Sequence, residues 1–178
     1  MKQLRDILEG IFDVDDNVEN MDRVLIEKFI KENYTARKIH ISDTKNNDGK
    51  YEVSASDSVI VDNDNIKTLT NDLFIFTNVV GSFNCSWCPK LKDLKGAPEI
   101  VMGEFKCNNC DNLESLEGAP RTAADGFDCS NCRKLKSLKG ITPHINNLLK
   151  CDHCGEKFEE KYIEKLLSNH CRNLVLIN

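Results

Sequence analysis

Residues Phe105–Pro120 read FKCNNCDNLESLEGAP, and near-copies flank them: FNCSWCPKLKDLKGAP over Phe83–Pro98 and FDCSNCRKLKSLKG over Phe127–Gly140. The Cys-x-x-Cys pairs Cys85/Cys88, Cys107/Cys110, Cys129/Cys132 and Cys151/Cys154 are each displaced from the last by 22 residues. Phe83, Phe105 and Phe127 keep the same phase, with Leu149 in that place in a fourth unit. So do Leu91, Leu113 and Leu135, then Leu94, Leu116 and Leu138, then Gly96, Gly118 and Gly140. A repeat in which every apolar position returns at one interval is the signature of stacked coils.

Within a unit, Phe105 and Cys107 alternate with polar Glu104, Lys106 and Asn108, the period of a short strand with one buried face. Apolar residues then recur every third position, at Cys107, Cys110, Leu113 and Leu116, which suits an arc turning one side chain inward at each corner. The glycine after the second leucine permits a tight bend, and Pro98 and Pro120 prevent continuation as helix. One coil cannot bury its own apolar edge, so each needs a neighbour. The expected fold is α+β: a short β-solenoid of 22-residue coils with parallel strands, capped by helix at the N-terminus and by helix and strand at the C-terminus.

The segments outside the stack divide the chain into four parts. Residues 1–35 are expected as a helical cap: Leu4, Ile7, Leu8 and Ile11 form one stripe, and Met21, Val24, Leu25 and Phe29 another. The acidic run Asp13–Asn17 between them has some of the spacing of a calcium loop. Val18 stands where the glycine is required and Val24 where the closing glutamate belongs, so a solvated linker is expected. Residues 36–58 hold two alternating strands, KIHIS and KYEVS, joined by NNDG. Residues 59–157 are the solenoid, opened by a divergent unit in which Val59, Val61, Ile66 and Leu69 take the Phe, Cys, Leu and Leu places, making five coils. Residues 158–178 are the closing cap, with a helix over Phe158–Leu167 and a strand over Leu174–Ile177.

Met102, Phe105, Cys107, Cys110 and Leu113 fit the Leu-x-x-Leu-x-Leu-x-x-(Asn/Cys)-x-x-Leu segment, and the chain here resembles leucine-rich repeat proteins. The fuller Phe-x-Cys-x-x-Cys-x-x-Leu-x-Ser-Leu-x-Gly-Ala-Pro form is similar to short repeats in bacterial and phage proteins. The resemblance spans about residues 59–155. It implies a cytoplasmic interaction protein, with a role in phage–host contact.

Cys-x2-Cys-x18-Cys-x2-Cys also matches zinc-site spacing. Separate zinc half-sites would not require the Phe and Leu columns to stay in register, whereas a packed solenoid does. Buried cysteine columns are therefore the expectation within the stack, the second cysteine of each pair reaching the backbone of the next coil. At the C-terminal end Cys151, Cys154, His170 and Cys171 form a Cys-x2-Cys-x15-His-Cys set, which keeps zinc open as the alternative cofactor there. Otherwise no cofactor is expected.

The 178 residues carry a net charge of −5, unevenly spread. Residues 1–80 hold 16 acids against 10 Lys and Arg, and 81–178 hold 13 against 14, so no nucleic-acid footprint is expected on the repeats. No apolar stretch of about 18 residues or more predicts a membrane span, and the MKQLRDILE start has acids where an export signal would be apolar. The expected compartment is the cytoplasm, with reduced thiols. Two ladders of alternating charge, Lys92–Glu114–Lys136 and Lys95–Glu117–Lys139, account for the lysines of the repeats.

No nucleophile–base–orienter set and no phosphate-binding glycine loop stands out, so an enzyme is not expected. The candidate contact residues for a protein partner are the outward strand positions Asn84, Ser86, Lys106, Asn108, Asp128, Ser130, Lys150 and Asp152. Beside them runs the column Trp87, Asn109, Asn131 and His153, whose tryptophan is the only one in the chain. The expected function is a non-enzymatic protein-interaction module presenting a polar strand face, with a zinc-stabilised adaptor as the alternative.

Overall fold

A computed structural model describes residues 18–141, 144–155 and 173–175 of the chain. Helix α1 (Val18–Asn33) is followed by strands β1 (Tyr34–Ala36), β2 (Ile39–Lys45), β3 (Tyr51–Ala55), β4 (Val59–Val61), β5 (Phe74–Val79), β6 (Phe83–Asn84) and β7 (Ile100–Val101). Then come β8 (Glu104–Lys106), β9 (Thr122–Ala123), β10 (Gly126–Asp128), β11 (His144–Ile145), β12 (Leu148–Lys150) and β13 (Asn173–Val175). They form a β-solenoid of about four turns, whose coils alternate between two sheets. One sheet has the order β1-β4-β6-β8-β10-β12-β13 and the other β11-β9-β7-β5-β3-β2.

The repeat phase becomes spatial register. Phe83 lies beside Phe105, and Phe105 beside Phe127, which is beside Leu149. The three phenyl rings form a column, with centroids 5.7 Å apart at 3° and 5.2 Å apart at 25°. Behind them Cys85, Cys107 and Cys129, then the two leucine columns, are fully buried. Burying each Phe or Leu side chain contributes about 1.5–3 kcal/mol, a gain each coil obtains only against a neighbour. Gly96, Gly118 and Gly140 all adopt φ near +89°. A β-carbon at Gly96 would lie 2.3 Å from the carbonyl carbon of Leu69 in the coil below, so this bend needs glycine for space as well as for φ.

The second sheet was not foreseen from sequence. Its rungs β7, β9 and β11 are two residues long, too short to show a period, and they bury the column Val79, Val101, Ala123 and Ile145. Five strands of the first sheet, β4, β6, β8, β10 and β12, open the five coils expected. Four are closed by a strand of the second sheet; the return of the fifth lies outside the described residues.

The segment before the stack continues both sheets. β1 pairs antiparallel with β4, while the β2–β3 hairpin, turned at Gly49 with φ +73°, joins the second sheet through β5. Helix α1 buries Asp22, Leu25, Ile26 and Ile30; of the expected stripe Leu25 is buried and Phe29 packs against the core, whereas Val24 is 55% exposed. Phe29 meets Tyr34 and Phe74, carrying the aromatic column into the cap. The expected stripe Leu4–Ile11, the acidic run Asp13–Asn17 and the helix Phe158–Leu167 lie outside the described residues. Of the expected closing strand, β13 is described, pairing parallel with β12 so that Leu174 lies beside Leu149.

Candidate functional site

The backbone ladder of the first sheet runs past its strands. Trp87, Asn109 and Asn131 donate their N–H groups to Asn108, Ser130 and Asp152 of the following coil. At that point the chain turns. Trp87, Asn109, Asn131 and His153 all lie in the left-handed region, with φ between 53° and 60°. Asparagine tolerates that conformation because its short amide can bond locally; for a bulky side chain it is strained. Two of the four positions are asparagine, a signal of a left-handed corner that the period-2 reading passed over.

Beyond this corner the second cysteine of each pair turns inward. Cys110 Sγ donates to the Cys85 carbonyl at 3.2 Å, Cys132 to Cys107 at 3.2 Å and Cys154 to Cys129 at 3.3 Å. The thiol therefore satisfies the preceding coil, not the next one as expected. The first cysteines point the other way: Cys85 and Cys129 donate to the carbonyls of Lys106 and Lys150 in the following coil. Burial pushes Cys85 and Cys107 well above the ordinary thiol range, and Cys88 to about 12. Cys154 is the exception. It is half-buried, and a hydrogen bond from the Cys129 thiol holds it below the usual value.

The outward strand positions are tied to one another. Asn84 Oδ1 accepts the Ser86 N–H at 2.9 Å, and Asp128 Oδ1 accepts that of Ser130 at 3.0 Å. Ser86 Oγ bonds Asn108 across the coils. Lys106 pairs with Glu104 at 2.7 Å, and Lys150 lies 4.0 Å from Asp128. Ser130 departs from the exposed face expected of it: it is only 6% exposed, because its hydroxyl turns to Asp128. Burial acts to raise the Asp152 carboxyl, but hydrogen bonds from His153 and Ser130 outweigh it and lower it. Little of this face is left unpartnered.

The corner differs. Trp87 is 72% exposed, and Pro89, Asp111 and Arg133 stand beside the left-handed column. Together with Trp87, Asn109 and Asn131 they line a groove of about 300 Å³ running across three coils. Asp111 and Arg133 form its charged wall, 3.6 Å apart. Pro89, Asp111 and Arg133 were missed from sequence, although they share one phase of the repeat and two of them carry opposite charges. Of the expected charge ladders, Lys95–Glu117 closes at 3.2 Å; the other rungs form no ion pair among the described residues. Pairs at the repeat interval form instead at Glu99–Arg121, Asp111–Arg133 and Asp128–Lys150.

Six cysteine thiols of the stack, those of Cys85, Cys88, Cys110, Cys129, Cys132 and Cys154, donate to backbone carbonyls, and among the described residues no group of three or more His, Cys, Asp or Glu is placed to hold a metal ion. His170 and Cys171 of the alternative zinc set lie outside the described residues; Cys151 is buried and Cys154 half-buried. No helix among the described residues is long and apolar enough to cross a membrane. Compared with protein-family models, curated proteins and solved structures, the chain matches none of them.

Proposed function

We propose that the chain is a non-enzymatic protein-interaction module, built on a short relative of the leucine-rich repeat, that grips its partner along the corner groove. The observation that carries this reading is Trp87, a large aromatic side chain kept 72% exposed at a φ of 60°. Packing does not call for it there: the equivalent corners are served by Asn109 and Asn131. A strained, exposed tryptophan flanked by a polar groove has the composition of an interface hot spot. Asn109, Asn131, Asp111 and Arg133 supply amide and charged groups at successive coils, which suits an extended segment lying across the strands. The strand face below, including Asn84, Lys106, Asn108 and Asp152, forms the rim of the contact. The free, buried thiols suit a reducing compartment, and we place the protein in the cytoplasm.

The test is capture of partners with the purified chain as bait. Trp87→Asn keeps a residue tolerant of the left-handed corner while removing the anchor. It should weaken capture about 30-fold, as loss of about 2 kcal/mol at a hot spot requires. Lys92→Ala with Lys136→Ala, on the turn side, should leave capture unchanged. Retention of the same partners by Trp87→Asn would place the binding surface elsewhere.

A further inference from the structure

A second cavity open to solvent lies far along the chain from Trp87, at the N-terminal end of the stack. It holds about 610 Å³ between helix α1 and the segment running from β1 into β2, a volume within the range of small-molecule pockets. Its charge is opposite to that of the chain as a whole. Arg23, Lys31, Arg37, Lys38 and His40 line it, with Glu27 as the single carboxylate among the described residues. Lys31, Arg37 and Lys38 make no ion pair among the described residues, whereas nearby Lys28 and Lys45 on the same elements pair with Glu32 and Asp22.

Two features fix the cleft. The Arg23 guanidinium donates to the carbonyls of Ser42 and Ile41, each at 3.1 Å, and meets Asp43 at 3.3 Å, so it is held across the gap between helix and strand. Lys38 sits at φ 51°, a conformation costly for its side-chain type, at the crossing from one sheet to the other. Clustered cations with no counter-charge among the described residues repel one another, and an anion relieves that repulsion. From this geometry we propose that the cleft binds a small, multiply charged anion of the phosphate class. A long polyanion is disfavoured by the chain's overall net charge of −5.

Inorganic pyrophosphate is the probe, added to the full chain while thermal unfolding is followed. A saturable rise of about 3 °C is expected once the ligand exceeds its dissociation constant roughly tenfold, shrinking as salt is raised. Arg37→Gln with Lys38→Asn, in which asparagine tolerates the left-handed backbone, should abolish the rise without lowering the unliganded midpoint. Lys31→Gln on the helix should weaken it, and serves if the double variant does not fold. Trp87→Asn should leave it intact, which separates this cleft from the corner groove. An equal rise from sodium chloride at matched ionic strength, or a rise surviving both cleft variants, overturns the proposal. So does co-sedimentation with vesicles containing phosphatidic acid through the same residues without a response to pyrophosphate, since the charge would then serve a lipid headgroup.

Discussion

At Trp87 the side chain and the backbone want different things. A residue with a bulky side chain held in the left-handed region costs roughly 1–2 kcal/mol relative to one that tolerates it, and the 22-residue repeat offers asparagine at two of the other three corners. Trp87→Asn should therefore raise stability by about 1 kcal/mol in urea unfolding while reducing partner capture. A variant that is destabilised would show that the indole covers something the fold needs. The two cysteines of a pair also separate at this scale. Both are fully buried, but Cys110 Sγ holds the Cys85 carbonyl, while Cys107 fills space between Phe105 and the leucines without a hydrogen bond of its own among those described. Cys107→Val should cost little. Cys110→Val leaves a buried carbonyl unanswered and should cost about 1 kcal/mol more. Cys107→Asp, which buries an unpaired charge, should abolish folding as read by circular dichroism. Equal tolerance of Asp and Val at residue 107 would contradict the inward strand.

Between elements, the cap is fastened by one buried charge. Asp22 on α1 is 1% exposed and meets Lys45 Nζ on β2 at 2.8 Å, and the same ammonium lies 5.3 Å from the centre of the Tyr51 ring. Lys45→Met removes the partner of a carboxylate that has no solvent. Breaking such a pair costs about 3–5 kcal/mol when both groups are buried; Lys45 is partly exposed, so about 2–3 kcal/mol is expected from denaturant midpoints. Adding Asp22→Asn should recover much of the loss, and a double variant no more stable than Lys45→Met would show the pair is not coupled. This fastening was not legible in the sequence. Apolar spacing around Val24 suggested a helical stripe, but the buried face is chosen by where β1 and β5 bring Tyr34 and Phe74, which no local pattern records. The first sheet was legible because Phe, Cys and Leu repeat at a fixed interval over four coils. The second sheet was not, since two-residue rungs such as Thr122–Ala123 are held by position in the coil and not by a pattern of their own. The groove fell between these cases: Asn109 and Asn131 signalled its left-handed corner, but only packing shows that Arg133 swings over to Asp111.

For the molecule as a whole, the same columns that make the stack also make it sensitive to alkali. Seven thiols are raised: burial lifts Cys110 to about 11, Cys88 and Cys151 to about 12, and Cys85, Cys107 and Cys132 upward, while Cys129 rises through its hydrogen bond to Cys154 and through burial. In the unfolded chain a thiol ionises near pH 9. Below that pH these seven thiols are neutral in both states and stability does not depend on them. Above it the unfolded chain loses protons that the folded chain keeps, so the unfolded state is favoured progressively until the folded values are passed. Each such thiol contributes a slope of up to about 1.4 kcal/mol per pH unit, and seven acting together would exceed the whole stability of an ordinary domain within one or two units. Cys154, lowered by the Cys129 thiol, acts in the opposite direction in a lower window: it stabilises the folded chain as pH rises toward 9 and adds no slope above it. Tyr34, raised by burial, adds to the loss above pH 10. The solenoid should lose no denaturant midpoint between pH 7 and about 8.5, and lose it steeply by about pH 10.5. Replacing Cys85, Cys107 and Cys129 together with valine should make that fall shallower, because three of the seven raised thiols are then gone. A midpoint that stays level to pH 10.5 in the native chain would mean the thiols are not sealed between coils, and the stacked interior proposed for Cys85 through Cys151 would have to be abandoned.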